Sequence, residues 1–210
     1  MKPYDTPLHN AAYEGNIEEV RLLIERGADI DSTDEYDKRT PLSITPHIEV
    51  ARMLIRHGAI IDAKSRDGWT ALHYAASRGL TEKALLLIRH GADIDSQCTS
   101  GSTPLLSAAV NRRRDMIELL IKHGANVNIY SDDLGTPLQV ALRGESDIEI
   151  VKLLVKAGAD INLTTGGDKT SPIDHCIAYK MYNYVNILRG IPINQDRPLR
   201  NSTCGGCNIL

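Results

Sequence analysis

The chain has 210 residues and a formal net charge of −3, with 24 Lys and Arg side chains against 27 Asp and Glu side chains. This near balance gives little electrostatic support for binding the phosphate backbone of a nucleic acid, so no nucleic-acid partner is expected. Hydrophobic residues make up 42% of the chain but aromatic residues only 4%, which predicts a core of Leu, Ile, Val and Ala rather than one centred on aromatic rings.

Two short motifs recur along the chain and divide it into units of similar length. A Thr-Pro-Leu-like tetrad begins at Thr6, Thr40, Thr70, Thr103 and Thr136, and a weaker one begins at Ser171. The starts are separated by 34, 30, 33, 33 and 35 residues. A second marker, Gly-Ala-Asp-Ile-Asp or a variant of it, keeps the same phase from Gly27 to a degenerate copy at Gly190. Two markers in register over six units predict a repeat architecture.

Each unit is predicted to contain two short helices followed by a hairpin. Thr or Ser before Pro begins the first helix, because the hydroxyl accepts a hydrogen bond from a free amide and Pro fits the first helical position. Glycines such as Gly15 and Gly79 end the first helix, and the glycine of the second marker ends the second helix. Turn residues such as those at 65–68 predict the hairpin. Stacking several helix pairs buries an apolar seam that a single pair cannot bury.

The period and the tetrad together resemble those of the ankyrin repeat. The resemblance rests on Thr-Pro-Leu-His at 6–9, on Thr-Ala-Leu-His-Tyr-Ala-Ala at 70–76 and on the Gly-Ala-Asp-Ile-Asp strings. It implies an all-α ankyrin-repeat solenoid of helix-turn-helix units with short β-hairpin connections. We predict one array over residues 1–194 and a flexible tail over 195–210, with approximate repeats at 4–35, 36–66, 67–99, 100–132, 133–166 and 167–194.

The second unit departs from the pattern. Its tetrad runs through Pro46 directly into His47, so the Ala-Ala-x-x-Gly segment is missing, and Pro46 cannot lie inside a normal helix. We therefore expect a stunted first helix and a local irregularity on the concave side of the array. Two interpretations stay open: a tolerated deletion, and a pocket that admits a side chain of a partner.

The ankyrin resemblance implies that a partner binds the concave surface, which hairpin tips and first helices form. The candidate partner-binding residues on this surface are Tyr36, Lys38, Arg66, Trp69, Tyr74, Arg78, Tyr130 and Arg143. Because Trp, Tyr and Arg are the usual anchors of interfaces, Trp69 beside Arg66 and Tyr74 is a hot-spot hypothesis. The alternative interpretation is that Trp69 merely packs on its own hairpin.

Five of the seven histidines occupy two positions of the repeat. His9 and His73 stand in the tetrad, where the ring is expected to bond local backbone. His57, His90 and His123 precede a helix-ending glycine, where a positive charge is favourable. Because they lie a repeat apart, and no catalytic or phosphate-binding motif is present, we predict no catalytic residue, metal or cofactor. The protein is not expected to be an enzyme.

A short basic run at 112–114 is followed at once by Asp115 and Glu118. The sequence therefore favours a solvated corner between a loop and a helix over a binding site for nucleic acid.

The C-terminal segment, Cys-Gly-Gly-Cys-Asn-Ile-Leu at 204–210, holds two of the four cysteines. Its last four residues fit the C-a-a-X prenylation motif, in which Cys207 would carry the lipid and Leu210 favours geranylgeranylation. Cys204 is a candidate for palmitoylation, and two lipid anchors hold a protein at a membrane where one does so only marginally. The competing interpretations are redox or metal chemistry at the two cysteines, and a disordered end with two idle thiols.

Together these features predict a non-catalytic scaffold or adaptor, expected to be monomeric, that binds another protein through its concave face. The N-terminus has no apolar signal region and no apolar stretch is long enough to span a bilayer, so a cytoplasmic location is expected. The second hypothesis is a prenylated adaptor that recruits its partner to a membrane, with the tail as the point of attachment. The third hypothesis is a redox protein that uses Cys204 and Cys207.

Overall fold

The computed structural model describes residues 6–143, 148–165 and 170–190, and within these ranges twelve helices form six pairs. The helices are α1 (Pro7–Glu14), α2 (Ile17–Glu25), α3 (Pro41–Ile44), α4 (Ile48–Arg56), α5 (Ala71–Arg78), α6 (Thr81–Arg89), α7 (Pro104–Val110), α8 (Arg114–Lys122), α9 (Pro137–Leu142), α10 (Ile148–Lys156), α11 (Pro172–Ala178) and α12 (Tyr182–Leu188). None of them combines the length and the apolar character that a membrane crossing requires.

The tetrads begin the first helices as predicted. The hydroxyl of the first tetrad residue accepts from the backbone amide three residues later at Thr6, Thr40, Thr103, Thr136 and Ser171. Proline occupies the first turn of each of these five helices. A backbone N–H at this position would have no partner within the helix, so its absence in proline costs no hydrogen bond. The sequence signal for a helix start is therefore fully local.

The helices stack in two rows, and each row is continuous along the array. First helices pack on first helices from α1 to α11, and second helices pack on second helices from α2 to α12. The tetrad leucine of the first five repeats is buried between the rows, at Leu8, Leu42, Leu72, Leu105 and Leu138. The buried hydrophobic residues of the described chain are aliphatic or sulfur-containing, in agreement with the prediction of a core of Leu, Ile, Val and Ala rather than one centred on aromatic rings.

The connections between repeats are tight hairpin turns rather than long paired strands. Each of the first four turns, which the structure describes in full, is closed by a backbone hydrogen bond, as from Ser65 N to Trp69 O at 2.9 Å and from Ser131 N to Gly135 O at 3.2 Å. Across the described ranges, a β-bridge is found only between Ser131 and Gly135, and no longer strand forms. The hairpins thus have the predicted shape with almost no sheet.

Successive turns are linked to one another, so that they form a continuous row (the turn row, residues 34–39, 65–69, 98–102 and 131–135). Arg66 N donates to Asp37 O at 2.6 Å, and Thr99 N donates to Asp67 O at 2.9 Å. The Ser131 hydroxyl extends the row by donating to the turn before it. Backbone groups make the first two of these links, so the first three turns are held together independently of their side chains, whereas the fourth depends on the Ser131 hydroxyl.

Gly68 shows how closely the turns approach each other. Its φ is +77°, and a Cβ built there would lie 3.0 Å from Thr99 N. Gly91 has a similar φ of +87° but nothing within 4 Å of such a Cβ. We expect Gly91→Ala to cost about 1 kcal/mol in unfolding free energy for backbone strain alone, and Gly68→Ala about 2 kcal/mol because it also displaces the next turn. Urea unfolding measures both costs; equal costs would contradict the close approach.

The second repeat is shortened as predicted: α3 has 4 residues where α1 has 8. Its last carbonyl groups cannot continue into a longer helix, yet they lie in the protein interior. The ammonium of Lys83, only 2% exposed, donates to three of them, at 2.8 Å to Leu42, 3.2 Å to Ser43 and 2.6 Å to Thr45. The Arg78 guanidinium donates to the fourth, that of Ile44, at 3.3 Å. Two cations from repeat three therefore cap the short helix.

The rings of the tetrad histidines form hydrogen bonds to residues more distant in the chain than the sequence predicted. His73 Nδ1 accepts from Thr70 N at 3.2 Å, which is the expected local bond. Its Nε2 lies 3.0 Å from Ser102 O in the next turn, and Nε2 of His9 lies 2.8 Å from Arg39 O. The prediction of local bonding was therefore wrong for Nε2, because stacking brings the next turn over the ring.

Repeat five makes the same bridge with an amide. Gln139 Oε1 accepts from Thr136 N at 2.8 Å, and Gln139 Nε2 donates to Thr170 O at 3.1 Å. A side chain with one acceptor and one donor can thus bridge two repeats from this tetrad position, and both His and Gln supply it, although repeat four has Leu106 there.

Candidate protein-binding face

The candidate binding surface consists of the turn row and the exposed sides of the first helices (the turn–helix face, predicted above as concave). Four of the eight predicted binding residues meet near its centre. The ring centroids of Trp69 and Tyr74 are 5.1 Å apart. Arg66 Nη2 donates to Glu35 O at 3.1 Å, directly before Tyr36 in the chain. Tyr36 itself is 59% exposed, so this central cluster (Tyr36, Arg66, Trp69 and Tyr74) presents three aromatic side chains and a guanidinium.

Trp69 is half-buried, and its ring packs against the first helix of its own repeat. It contacts Tyr74 and also His73, whose ring centroid is 5.8 Å away. Burial raises the pKa of Tyr74, while a hydrogen bond with Ser65 acts in the opposite direction. The two rings are thus held in place before any partner arrives, and part of Trp69 stays accessible.

The other four predicted binding residues are spread along the face. Lys38 is exposed at the first turn with a φ of +56°, and Arg78 lies at the far end of α5. Tyr130 is 45% exposed beside an open cavity of about 410 Å³. Arg143 Nη1 donates to Leu134 O at 2.8 Å. The structure therefore brings half of the predicted residues together and leaves the other half apart.

A larger cavity, of about 810 Å³, lies between the first helices of repeats five and six. Arg143 lines it together with His175 and Tyr179, whose ring centroids are 4.5 Å apart. His175 is not one of the predicted binding residues. Its signal was its place as the fifth residue from Ser171, the position that Tyr74 holds in the third repeat.

The described residues contain no group of three or more His, Cys, Asp or Glu side chains that could hold a metal ion. Cys98 and Cys176 are buried free thiols, and burial raises the pKa of Cys176 to about 11, so that its thiol stays protonated at neutral pH. Cys204 and Cys207 lie outside the described residues. Prenylation, palmitoylation and a redox role for these two cysteines therefore stay predictions.

Comparison with solved structures identifies a similar architecture over nearly the whole chain. A crystal structure of an ankyrin repeat domain from Acinetobacter baumannii AYE superposes with a TM-score of 0.79 at 30% sequence identity. The match covers 88% of this chain and 96% of that one.

Sequence relatives match over shorter segments. The mouse B-cell lymphoma 3 protein homolog is 42% identical over 78 residues, which are 36% of this chain and 17% of that protein. Human ankyrin repeat domain-containing protein 13B is 36% identical over 75 residues, covering 34% and 12%. Glycerophosphocholine phosphodiesterase gde1 of Schizosaccharomyces pombe is 35% identical over 78 residues, covering 36% and 7%. The matched segment spans less than a fifth of each of these relatives, so the similarity concerns the repeats alone.

Family models agree with the structural comparison. The model of a single ankyrin repeat matches residues 4–35, and the model of three consecutive ankyrin repeats matches residues 43–131 and 84–165. These matches cover well over half of the chain, and they coincide with the stacked helix pairs; the chain belongs to the ankyrin repeat family.

Proposed function

We propose that this protein is a non-catalytic adaptor that binds a partner protein through its turn–helix face. Ankyrin repeats generally mediate protein–protein interaction, and this chain belongs to that family. The observation that carries the proposal is the central cluster of Tyr36, Arg66, Trp69 and Tyr74, which combines the residue types most often found as interface anchors.

The cluster is organised before binding, which lowers the entropy that association would cost. The turn row is fixed by backbone hydrogen bonds between successive turns, and Trp69 is held against Tyr74. Arg66 uses one guanidinium N–H on the carbonyl oxygen of Glu35, and its remaining donors can bind a carboxylate or carbonyl of the partner. A partner therefore meets a rigid surface with an apolar centre and a charged border.

The double variant Arg66→Ala/Trp69→Ala is expected to weaken binding of the partner about tenfold, because it removes two anchor side chains from the centre of the face. Affinity purification from eukaryotic cell lysate, with quantitative mass spectrometry of the captured proteins, compares the variant with the wild type. The matched control is Tyr182→Ala/Arg189→Ala, which removes an exposed aromatic group and an exposed arginine from the second-helix row.

A partner that the wild type and the control retain, and that the double variant loses, would support the proposed site. A partner held equally by all three proteins would place the binding site elsewhere on the array. The absence of any specific partner would contradict the adaptor function itself.

A further inference from the structure

Four arginines line a single cavity at the edge of the array where the first helices end. The cavity has a volume of about 280 Å³, and the arginines around it are Arg78, Arg112, Arg113 and Arg114. Arg78 ends α5 in the third repeat, whereas the other three connect α7 to α8 in the fourth. The packing of α5 on α7 thus joins residues more than thirty positions apart into one basic patch (the arginine cluster).

The arginine cluster lacks carboxylate partners in the described part of the chain. Arg21, Arg39 and Arg52 each pair with an Asp or Glu within 4.0 Å, but no such pair involves the four clustered arginines. The cluster makes its hydrogen bonds to backbone carbonyls instead, from Arg113 Nε to Ser77 O at 3.1 Å and from Arg78 to the short helix. All four side chains are exposed, and Asp115 is the acidic residue that lines the cavity.

Local packing fixes the positions of Arg113 and Arg78 in the cluster. The stem of Arg113 lies across Gly79, where a Cβ would come within 3.1 Å of the arginine Cδ. Because α3 ends at Ile44, the free carbonyl of Ile44 accepts from the Arg78 guanidinium at 3.3 Å, which fixes Arg78 beside the cavity. The shortened repeat therefore positions one of the four arginines, while the ammonium of Lys83 bonds the other carbonyls of α3.

We propose that the arginine cluster binds an acidic segment of the partner protein, one that brings two or more anionic side chains to the cavity. Guanidinium groups bind carboxylate and phosphate oxygens through paired, charge-assisted hydrogen bonds, and an anion offsets the repulsion among four like charges. Since the chain as a whole carries −3, the cluster is a local feature and not part of a generally basic protein. Nucleic acid or a membrane surface would require a broader basic surface than this one.

This inference rests on the proposed adaptor function, but its test does not require the natural partner. The probes are a fluorescein-labelled oligoglutamate peptide and a matched peptide of phosphoserines, and fluorescence anisotropy measures their binding to the full chain. We expect binding at about 50 mM NaCl that weakens as salt is added, because exposed charges are screened. The peptide with the higher affinity identifies carboxylate or phosphate as the preferred source of the anionic oxygens.

The test variant is Arg112→Gln/Arg114→Gln. The side chains of these two arginines make none of the identified hydrogen bonds that stabilise the fold. Its affinity for the acidic peptides is expected to be about tenfold lower, from the loss of two charge-assisted contacts. The control Arg56→Gln/Arg89→Gln removes two exposed arginines from the last turns of α4 and α6 and is expected to bind the peptides like the wild type.

Failure of both peptides to bind, or an equal loss in the control, would overturn the inference. The inference would also be overturned if the peptides do not bind but phosphatidylserine vesicles or a single-stranded oligonucleotide bind in a way that depends on Arg112 and Arg114. Partner capture through Arg66 and Trp69 is measured separately. Capture of a partner that depends on Arg66 and Trp69, alongside a failed peptide test, would remove this inference alone. Intact peptide binding with a partner that the Arg66→Ala/Trp69→Ala variant captures as well as the wild type does would contradict the central-face site alone.

Discussion

Replacing Lys83 by Met is expected to lower the free energy of unfolding by about 3 kcal/mol, because three buried carbonyl oxygens lose their donors at once. The residues that carry these carbonyls, Leu42, Ser43 and Thr45, are themselves buried, so water does not readily replace the ammonium. Methionine matches the length of the lysine stem and keeps the apolar contacts. Urea unfolding monitored by circular dichroism at 222 nm gives the difference.

Two opposing electrostatic effects at Lys83 limit the expected loss of unfolding free energy. Burial, together with the charge of Arg78, lowers the pKa of Lys83 to about 7, while three carbonyl acceptors match the three N–H donors of the ammonium and favour its charged form. Met relieves the cost of burying the amine, and this relief offsets part of the loss of its three bonds.

The control for this prediction is Lys152→Met on α10. Lys152 is half-exposed and pairs with Glu149 at 2.7 Å, so its replacement is expected to change the unfolding free energy by less than about 0.5 kcal/mol. A Lys83→Met variant as stable as the wild type would show that the short helix finds other donors for its carbonyls.

Much of the fold follows from signals that act within a few residues. A hydroxyl residue before Pro begins the first helix of repeats one, two, four, five and six, whereas the second such pair in repeat two, Thr45-Pro46, ends α3 after four residues as expected. Such signals need no knowledge of neighbouring repeats. The order of the helices and the stunted second repeat could therefore be predicted from the sequence alone.

The cap on the short helix could be predicted only in part. Lys83 stands eight residues before Gly91, and the residues eight positions before the equivalent glycines of repeats two, four and five are buried and apolar: Val50, Met116 and Ile150. A lysine at an apolar position, directly after a shortened repeat, was a readable signal. Which carbonyls it would bond depends on how α3 stacks on α5, and sequence patterns do not encode that distance.

The two proposed binding surfaces could likewise be predicted from the sequence only in part. The family resemblance indicated the face that carries Trp69 and Tyr74, and their stacking agrees with their place in the repeat. The arginine cluster was missed because Arg78 and the run at 112–114 lie in different repeats, and the run by itself indicated a solvated corner. Contacts between repeats assemble the arginine cluster, whereas the Trp69–Tyr74 pair forms within a single repeat.

Acidification from pH 6.5 towards pH 4 is expected to reduce the stability of the array by up to about 3 kcal/mol through His73 alone. The ring is fully buried, and burial lowers the pKa of His73 to about 4 from its ordinary value of 6.5. Between these two values the unfolded chain binds a proton that the folded chain does not bind. The contribution of the neutral ring to the free energy of unfolding is thus complete above pH 6.5 and is lost as the pH falls through 4.

Burial is the cause of the lowered pKa of His73, whereas the hydrogen bond with Ser102 O acts in the opposite direction. The bonds of the ring fix the neutral tautomer: Nδ1 accepts from the Thr70 amide, and Nε2 donates to Ser102 O. Gln139 makes the equivalent pair of bonds in repeat five without a titratable group. The variant His73→Gln should therefore keep the bridge and lose the pH dependence.

Urea unfolding of the wild type and of His73→Gln at pH 7 and at pH 4.5 tests this expectation. The wild type should lose about 2 to 3 kcal/mol more than the variant between the two pH values. The wild type and the variant contain the same carboxylates, so carboxylate titration contributes equally to both losses. Asp34 illustrates this: burial alone would raise its pKa, but hydrogen bonds from Arg39 and Asp37 lower the pKa, and these groups are identical in the two proteins. Equal losses in the two proteins would mean that the folded array accepts a proton at His73 by giving up the Thr70 bond.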